Sequence, residues 1–117
     1  EMGGVDIILD DGSHHMNHIP KTLNVLYPFL SENGIYMIED LHTAYWPSYG
    51  GGYRSKKNFF NMTRGLIDDM HHWYHGRSIK FPKISKECAA IHIHDSIVVL
   101  EKNKVFAPVH SQKVSEN

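Results

Sequence analysis

The residues of this chain that could do chemistry stand in two acidic groups. Asp10, Asp11 and His14 follow an apolar run near the start of the chain, and Glu39 with Asp40 follows a second one. Carboxylate oxygens suit hard divalent cations, and Mg²⁺ binds few protein carboxylates while it keeps several waters. An imidazole beside a metal-held hydroxyl is a suitable general base near neutral pH. The two groups together favour a shared cation site with a histidine alongside.

Each acidic residue alone has a simpler explanation. Asp10 or Asp11 can cap a tight turn, and Glu39 with Asp40 can cap the segment that follows them. Carboxylates that crowd together without a cation would repel one another. The joint placement of both groups at neighbouring strand ends favours function over capping.

The elements that must position these groups form a β-α-β unit. Residues 5–9 are an apolar run without alternation, which is typical of a strand buried on both faces of a parallel sheet. A helix with Asn17 as its cap and an end near Pro28 is predicted by apolar residues at helical spacing: Ile19, Leu23, Leu26 and Leu30. After a stop signal at 31–34, residues 35–38 predict the second strand. Ligands bind beyond the carboxyl ends of such strands, where both acidic groups lie.

A segment rich in aromatic residues and glycine, 41–53, follows the second acidic group. It predicts a mobile lid over the site, and the alternative is a surface connector whose aromatic side chains pack on the core. Aromatic rings here suit stacking on a sugar or another ring. The candidate substrate contacts are His15, His42, Tyr45, Trp46 and Tyr49, although exposed loop positions would also explain them.

The remaining elements are a long helix and a hairpin. Residues 55–75 predict a helix that stops at Gly76, with a core-facing stripe of Phe59, Met62, Leu66, Met70 and Trp73. Residues 89–94 and 97–102 flank an Asp-Ser turn and predict an antiparallel hairpin. The predicted fold class is therefore α/β, in the order β-α-β-α-β-β, with a parallel pair and a hairpin. Residues 104–117 predict a loose polar tail.

Composition excludes several classes of protein and partner. The 117 residues carry a net charge of −1, so no basic field is available to hold nucleic acid or an anionic membrane. No apolar run approaches the roughly 20 residues of a membrane span. The single cysteine, Cys88, excludes an internal disulfide and indicates a reducing cytoplasm. A packed small residue is a simpler explanation for Cys88 than a nucleophile.

Histidines outside the acidic groups have two explanations. His71, His72 and His75 stand late in the long helix, where contact with the helix end is the simpler explanation and a transition metal the alternative. His92 and His94 alternate with isoleucines on one side of a strand, which favours a solvated sheet face over a two-histidine metal site.

The motifs Asp-Ile-Ile-Leu-Asp-Asp-Gly-Ser-His (6–14), Ile-Tyr-Met-Ile-Glu-Asp-Leu-His-Thr-Ala-Tyr-Trp (35–46) and Tyr-Gly-Gly-Gly (49–52) carry a resemblance. Together they resemble the C-terminal half of a class I S-adenosylmethionine-dependent methyltransferase. The most similar group is the metal-dependent O-methyltransferases that act on sugars of macrolides and related natural products. The resemblance covers residues 5–100 and implies a partial Rossmann-like methyltransferase fold.

Carried over by position, the resemblance assigns roles to the acidic groups. Asp11, Glu39 and Asp40 become the Mg²⁺ ligands, and His14 becomes the general base. Asp10 would lie near the methyl donor or support the turn. The implied cofactors of the parent enzyme are S-adenosylmethionine and Mg²⁺, and the implied substrate is a sugar or natural-product hydroxyl. The enzyme would deprotonate that hydroxyl and position it for in-line attack on the methyl group.

The sequence departs from this family because no Gly-rich loop follows a first strand. We expect that residues 1–103 are the C-terminal half of the methyltransferase domain and that the chain alone is inactive, since most of the donor site is missing. The expected strand order is first, second, last, then the first strand of the hairpin. Strand 5–9 would present an apolar edge, which predicts a homodimer or larger assembly. The alternative function is a non-enzymatic assembly or metal-binding module that reuses the half-fold.

Overall fold

Four strands form one mixed sheet: β1 (Val5–Asp10), β2 (Leu30–Ile38), β3 (Cys88–His94) and β4 (Ile97–Lys102). The structure, a computed structural model, describes residues 5–109. The strand order is β1-β2-β4-β3, with β1 and β2 parallel and the other neighbours antiparallel. The predicted α/β class, the strand order and the hairpin are confirmed.

β2 is longer than the predicted strand because it contains a bulge. Leu30 pairs with Val5, and Ile35 pairs with Ile7, so residues 31–34 bulge out of the ladder. Asn33 adopts a left-handed backbone with φ of 70°, a conformation that asparagine tolerates better than most residues. The residues predicted to separate helix from strand therefore lie inside β2 as a bulge.

The helix between the parallel strands, α1, spans Ile19–Leu26. Pro20 lies in its first turn, where its missing N–H costs nothing. The prediction of Asn17 as the cap is wrong, because His18 occupies that position and gives no side-chain cap. A 3₁₀ turn over Tyr27–Phe29 follows, since Pro28 prevents the α-helix from continuing.

The predicted helix over 55–75 is divided into two. α2 spans Phe59–Met70, and the one-turn α3 spans His72–His75, with a break at His71. α2 begins later than predicted because Asn58 caps it, its side chain accepting a hydrogen bond from Phe60 N at 2.8 Å. Gly76 ends α3 with φ of 75°, as the sequence predicts. A further short helix, α4 (Pro82–Ser85), is absent from the prediction.

The core lies on one face of the sheet. The fully buried strand residues Tyr36, Ile38, Val98 and Leu100 belong to the same cluster as Leu23 of α1 and Leu66 of α2. The expectation that β1 is buried on both faces is wrong within residues 5–109. Ile7 and Leu9 are 67% and 52% exposed, because β1 is an edge strand and nothing described covers its second face.

The segment after β2 is ordered by short turns rather than extended. 3₁₀ turns cover Leu41–Tyr45 and Pro47–Tyr49. Tyr49 O accepts a hydrogen bond from Met16 N at 2.8 Å, and Ala44 O accepts one from Gly52 N at the same distance. Gly51 lies so close to Ala44 that a Cβ there would be 2.1 Å from the Ala44 carbonyl oxygen. The contacts of Ala44 fold the segment on itself, and the bond between Met16 and Tyr49 joins it to the residues that follow β1.

Residues 104–109 form neither helix nor strand, and the rest of the predicted polar tail lies outside the described residues. Within residues 5–109, each helix is too short or too polar to cross a lipid bilayer.

Candidate active site

The two acidic groups meet at the carboxyl edge of the parallel pair. Asp10 is the last residue of β1 and pairs with Ile38, the last residue of β2. The backbone N–H of Glu39 donates to the carbonyl oxygen of Asp10 at 3.2 Å. The residues after each strand therefore begin their turns side by side.

Three side chains converge beyond these strand ends. Nε2 of His14 lies 3.6 Å from Oδ1 of Asp11 and 3.4 Å from Oδ2 of Asp40. One ligand atom from each residue lies within 4.8 Å of the other two. The His14 side chain is 23% exposed, whereas those of Asp11 and Asp40 are 57% and 47% exposed. The group is open to solvent on the carboxylate side and sheltered on the imidazole side.

The donor set of this group fits a magnesium ion. Two carboxylates from different segments offer the oxygen ligands that Mg²⁺ prefers, and their exposure leaves room for the waters it keeps. A cation between Asp11 and Asp40 would also relieve the repulsion of two negative charges held this close. Among residues 5–109, this is the one group of three acidic, histidine or cysteine side chains with such spacing.

Two residues of the group hold an unusual backbone conformation. His14 has φ of 61° and Asp40 has φ of 59°. Both values lie in the left-handed region of the backbone, which residues other than glycine rarely adopt. The hydroxyl of Thr43 reaches both residues, since its Oγ1 lies 2.8 Å from the carbonyl oxygen of His14 and 3.2 Å from that of Asp40. Thr43 belongs to the motif over 35–46, but the sequence analysis predicts no role for it, because that role depends on where two turns meet.

Glu39 lies next to this group without joining it. Its carboxylate is not among the converging ligand atoms, although it directly precedes Asp40 and is only partly exposed. The structure thus brings together Asp11, Asp40 and His14, while Glu39 is adjacent.

Asp10 supports the turn beneath the group. Its Oδ1 accepts a hydrogen bond from Gly12 N at 3.2 Å, which holds the turn that carries Asp11. Within the described part of the chain, Oδ2 of Asp10 and the hydroxyl of Tyr36 are buried without a hydrogen-bond partner. Burial raises the pKa of the Tyr36 phenol, and the nearby Asp10 carboxylate raises it further. Tyr36 therefore stays protonated beside this carboxylate.

A cavity of about 600 Å³ adjoins the turn that follows Asp40, and its lining begins at Leu41 and does not include Asp11, His14 or Asp40. It lies between the turn over Leu41–Tyr45, one side of α2, and the β3–β4 turn with its flanking Ile93. His42 and Tyr45 line it, and His42 Nδ1 lies 3.2 Å from the Ser96 hydroxyl across the cavity wall. Tyr45 stacks on Phe60 with ring centres 5.8 Å apart. The volume is that of a typical small-molecule site.

The other predicted substrate contacts lie around this cavity rather than in it. Trp46 packs edge-on against His42 at 5.0 Å and lies 5.9 Å from Tyr49. The ring of His15 lies against Gly50, where an added Cβ would come within 2.7 Å of it. Trp46 and Tyr49 thus pack on each other, whereas His15 packs on the loop at Gly50.

The remaining histidines follow the simpler explanation. His71, His72 and His75 each place a ring nitrogen within hydrogen-bond distance of a backbone carbonyl near the end of α2, at 2.7, 3.0 and 2.8 Å. His92 contacts Glu101 on the neighbouring strand. Among residues 5–109, neither set belongs to a group of three or more converging ligand side chains.

Comparisons with known proteins agree with this geometry. No family model matches the chain. L-olivosyl-oleandolide 3-O-methyltransferase of Streptomyces antibioticus is 45% identical over 76 residues, which are 62% of this chain and 20% of that protein. An O-methyltransferase of Streptomyces olivaceus that acts on 8-demethyl-8-alpha-L-rhamnosyl tetracenomycin-C is 31% identical over 86% of this chain and 28% of its own length.

Solved structures of the MycE methyltransferase from the mycinamycin biosynthetic pathway share the fold. One, in complex with Mg and SAH, has a TM-score of 0.79 and 26% identity, covering 96% of this chain and 30% of that chain. Another, which also holds Mycinamycin VI, has a TM-score of 0.75 and 29% identity.

The chain is homologous to part of these natural-product sugar O-methyltransferases. It spans less than a third of the length of the relatives described above. The resemblance carried by the acidic motifs is thus confirmed. The Asp11–His14–Asp40 group lies at the edge of a sheet whose fold matches that of the MycE methyltransferase.

Proposed function

We propose that this chain forms the metal- and acceptor-binding part of an S-adenosylmethionine-dependent O-methyltransferase that methylates a hydroxyl of a sugar or natural product. The observation that carries the proposal is the convergence of Asp11, His14 and Asp40 from two neighbouring strand ends. Because the chain spans a minor part of its relatives, methyl transfer is proposed for a protein that contains this segment. Residues 1–103 would form that segment, followed by a polar tail over 104–117.

Asp11 and Asp40, with Glu39 beside them, would hold a magnesium ion. Carboxylates from two segments would coordinate the ion from two sides. Their exposure leaves coordination positions for water and for the acceptor oxygen. Magnesium, when bound, lowers the pKa of an oxygen that coordinates it. Asp10 would support the turn of Asp11 on the side of the methyl donor, S-adenosylmethionine.

His14 would be the general base. Its Nε2 faces the carboxylates of Asp11 and Asp40 at 3.6 and 3.4 Å, so the ring points to the place where an acceptor hydroxyl would lie. It would take the hydroxyl proton, and the resulting oxygen nucleophile would be free to attack the methyl group of the donor. The carboxylates would also stabilise the imidazolium that forms. The chain contributes positioning and proton transfer.

The acceptor would occupy the cavity beside this group. Leu41 and His42, the two residues that follow Asp40 in the chain, line it, so the proposed acceptor pocket adjoins the turn that carries Asp40. The lining is largely apolar, with Arg64 and Asp95 as charged groups, which suits a natural product that carries a polar sugar. Trp46, Tyr49 and His15 would extend the contact surface along the loop.

A second function, assembly, is favoured by β1. Ile7 and Leu9 are exposed on an edge strand, and exposed apolar edges pair readily with other strands. We infer a homodimer or larger assembly through residues 5–9. A module that only assembles or binds metal would use the same edge without catalysis.

The single thiol, buried at Cys88, supports a reducing cytoplasmic setting.

A calorimetric Mg²⁺ titration of this chain tests the proposed site. We expect saturable binding that Asp11→Asn or Asp40→Asn weakens by at least about tenfold. Asp68→Asn removes the same charge from an exposed position on α2 and should leave the affinity unchanged. His14→Gln should keep most of the affinity if His14 is a base rather than a ligand. Absent binding, or equal binding by Asp11→Asn and wild type, would overturn the proposal.

A further inference from the structure

We propose that Thr43 is a positioning residue that sets the relative placement of His14 and Asp40, an inference that rests on the proposed metal and base roles of those residues. Thr43 lies in the turn over Leu41–Tyr45 and is 3% exposed. Its hydroxyl lies 2.8 Å from the carbonyl oxygen of His14 and 3.2 Å from that of Asp40. A threonine hydroxyl has one proton to donate, so the two carbonyls share a three-centre hydrogen bond.

The two carbonyls belong to the two residues of the site with left-handed backbones, at φ of 61° and 59°. Such a conformation is unfavourable for histidine and aspartate unless the surroundings hold it. One buried donor that contacts both peptide groups stabilises both conformations at once. The direction in which each side chain leaves the backbone follows from them, and with it the 3.4 Å separation of Nε2 of His14 and Oδ2 of Asp40.

Thr43 also joins two segments that the sheet alone does not fix. Among the hydrogen bonds of residues 5–109, it makes the one that links the His14 backbone to the turn after β2. The ladder between β1 and β2 ends at Asp10 and Ile38, before either residue. The hydroxyl therefore continues the connection between the segments beyond the last ladder pair.

Thr43→Val tests this role because valine keeps the shape and removes the donor. Thr43→Ser keeps the donor and removes a methyl group. Ser85→Ala is the matched control. Ser85 lies buried in α4, outside the site, and its hydroxyl donates a hydrogen bond to Asp69 of α2 at 2.7 Å. All three variants are compared with wild type by urea unfolding and by Mg²⁺ titration.

We expect Thr43→Val to lose about tenfold or more in Mg²⁺ affinity, as removal of supporting groups around metal ligands usually does. Thr43→Ser should recover most of that loss, and Ser85→Ala should keep wild-type affinity even where it unfolds at lower urea. A valine variant that binds Mg²⁺ like wild type, a serine variant that does not recover, or an equal loss in Ser85→Ala would overturn the inference.

A metal-free readout separates this inference from the proposed function. Three-bond couplings of the α proton to the amide proton and to the preceding carbonyl carbon together report φ with its sign, so they show by nuclear magnetic resonance whether His14 and Asp40 keep positive values. Thr43→Val should change these couplings at both residues, and Thr43→Ser should preserve them. If wild type fails to bind Mg²⁺, the proposed function is wrong while this comparison still decides the role of Thr43. Unchanged couplings in Thr43→Val would contradict it.

Discussion

Nε2 of His14 lies 3.4 Å from Oδ2 of Asp40, although one residue follows β1 and the other follows β2. Two parallel strands that end together bring the groups close, and two left-handed residues turn their side chains toward each other. An imidazole that faces carboxylates from both segments can accept a proton while the carboxylates hold a cation. This relationship connects the fold to the proposed chemistry.

Filling the cavity should block acceptor binding. Ile67 lines the cavity from α2, and Ile67→Trp would occupy its apolar part. Using Mycinamycin VI, the compound held in one MycE structure, to probe the proposed acceptor site, we expect saturation-transfer NMR to detect contact with wild type and little with the variant. Val25→Trp adds the same ring at an exposed position of α1 and should bind like wild type. Equal binding by Ile67→Trp would rule out this cavity as the acceptor site.

A charge on the sheet edge should abolish self-association. Ile7 is 67% exposed on β1, so Ile7→Lys places a cation on the apolar edge without disturbing the core. Sedimentation velocity should show a dimer or larger species for wild type and a monomer for the variant. Val25 on α1 is about as exposed as Ile7, so the control variant Val25→Lys should associate like wild type. A wild-type chain that sediments as a monomer would contradict the assembly proposal.

Asp69 should be required for stability. It is 3% exposed, and its carboxylate accepts hydrogen bonds from Lys80 N, Phe81 N and Ser85 Oγ at 2.8, 2.9 and 2.7 Å. Asp69→Asn replaces one acceptor oxygen by a donor that faces other donors, which should lower the free energy of unfolding by about 3 kcal/mol. Urea unfolding measures this loss. The neighbouring Asp68→Asn is exposed and should change stability little, so equal effects would contradict the prediction.

Stability should fall at alkaline pH partly because of Cys88. Burial raises the pKa of the Cys88 thiol from 9.0 to about 11. Well below pH 9 the thiol is neutral in both the folded and the unfolded state. As pH rises toward 11, the unfolded chain loses the proton first, so unfolding becomes more favourable by on the order of 2 kcal/mol. The pKa of Tyr27 is also raised, chiefly by burial, which adds to the slope.

Urea unfolding at several pH values compares wild type with Cys88→Ala. The alanine variant should lose less stability between about pH 8 and pH 11 than wild type does, and the buried phenols of Tyr27 and Tyr36 contribute to the slope that remains. Parallel slopes for the two proteins would show that Cys88 does not contribute.

The arrangement of the sheet could be predicted from sequence because it depends on local patterns. The apolar run of β1 has no alternation, and Asp95 with Ser96 separates two β-rich runs, which together indicate a parallel strand and a hairpin. The acidic residues stand directly after strands, so their meeting at one edge follows from the topology.

Details that depend on tertiary contacts could not be predicted. The start of α2 is fixed by Asn58, whose side chain also donates to Gly52 O at 3.1 Å in the preceding loop. Glu39 and Asp40 are neighbours in sequence, yet only Asp40 turns into the ligand group, because its left-handed backbone redirects the side chain. Thr43 contacts two turns at once, and no spacing rule anticipates such a contact.

The most direct test of the central claim uses Mn²⁺ as a paramagnetic substitute for Mg²⁺ in NMR spectra of this chain. We predict that Mn²⁺ broadens the amide signals of Asp11, His14, Glu39 and Asp40 first, and that excess Mg²⁺ restores them. Broadening centred on the histidines of α3 or on His92, or no selective broadening at all, would contradict a shared cation site at the carboxyl edge of β1 and β2.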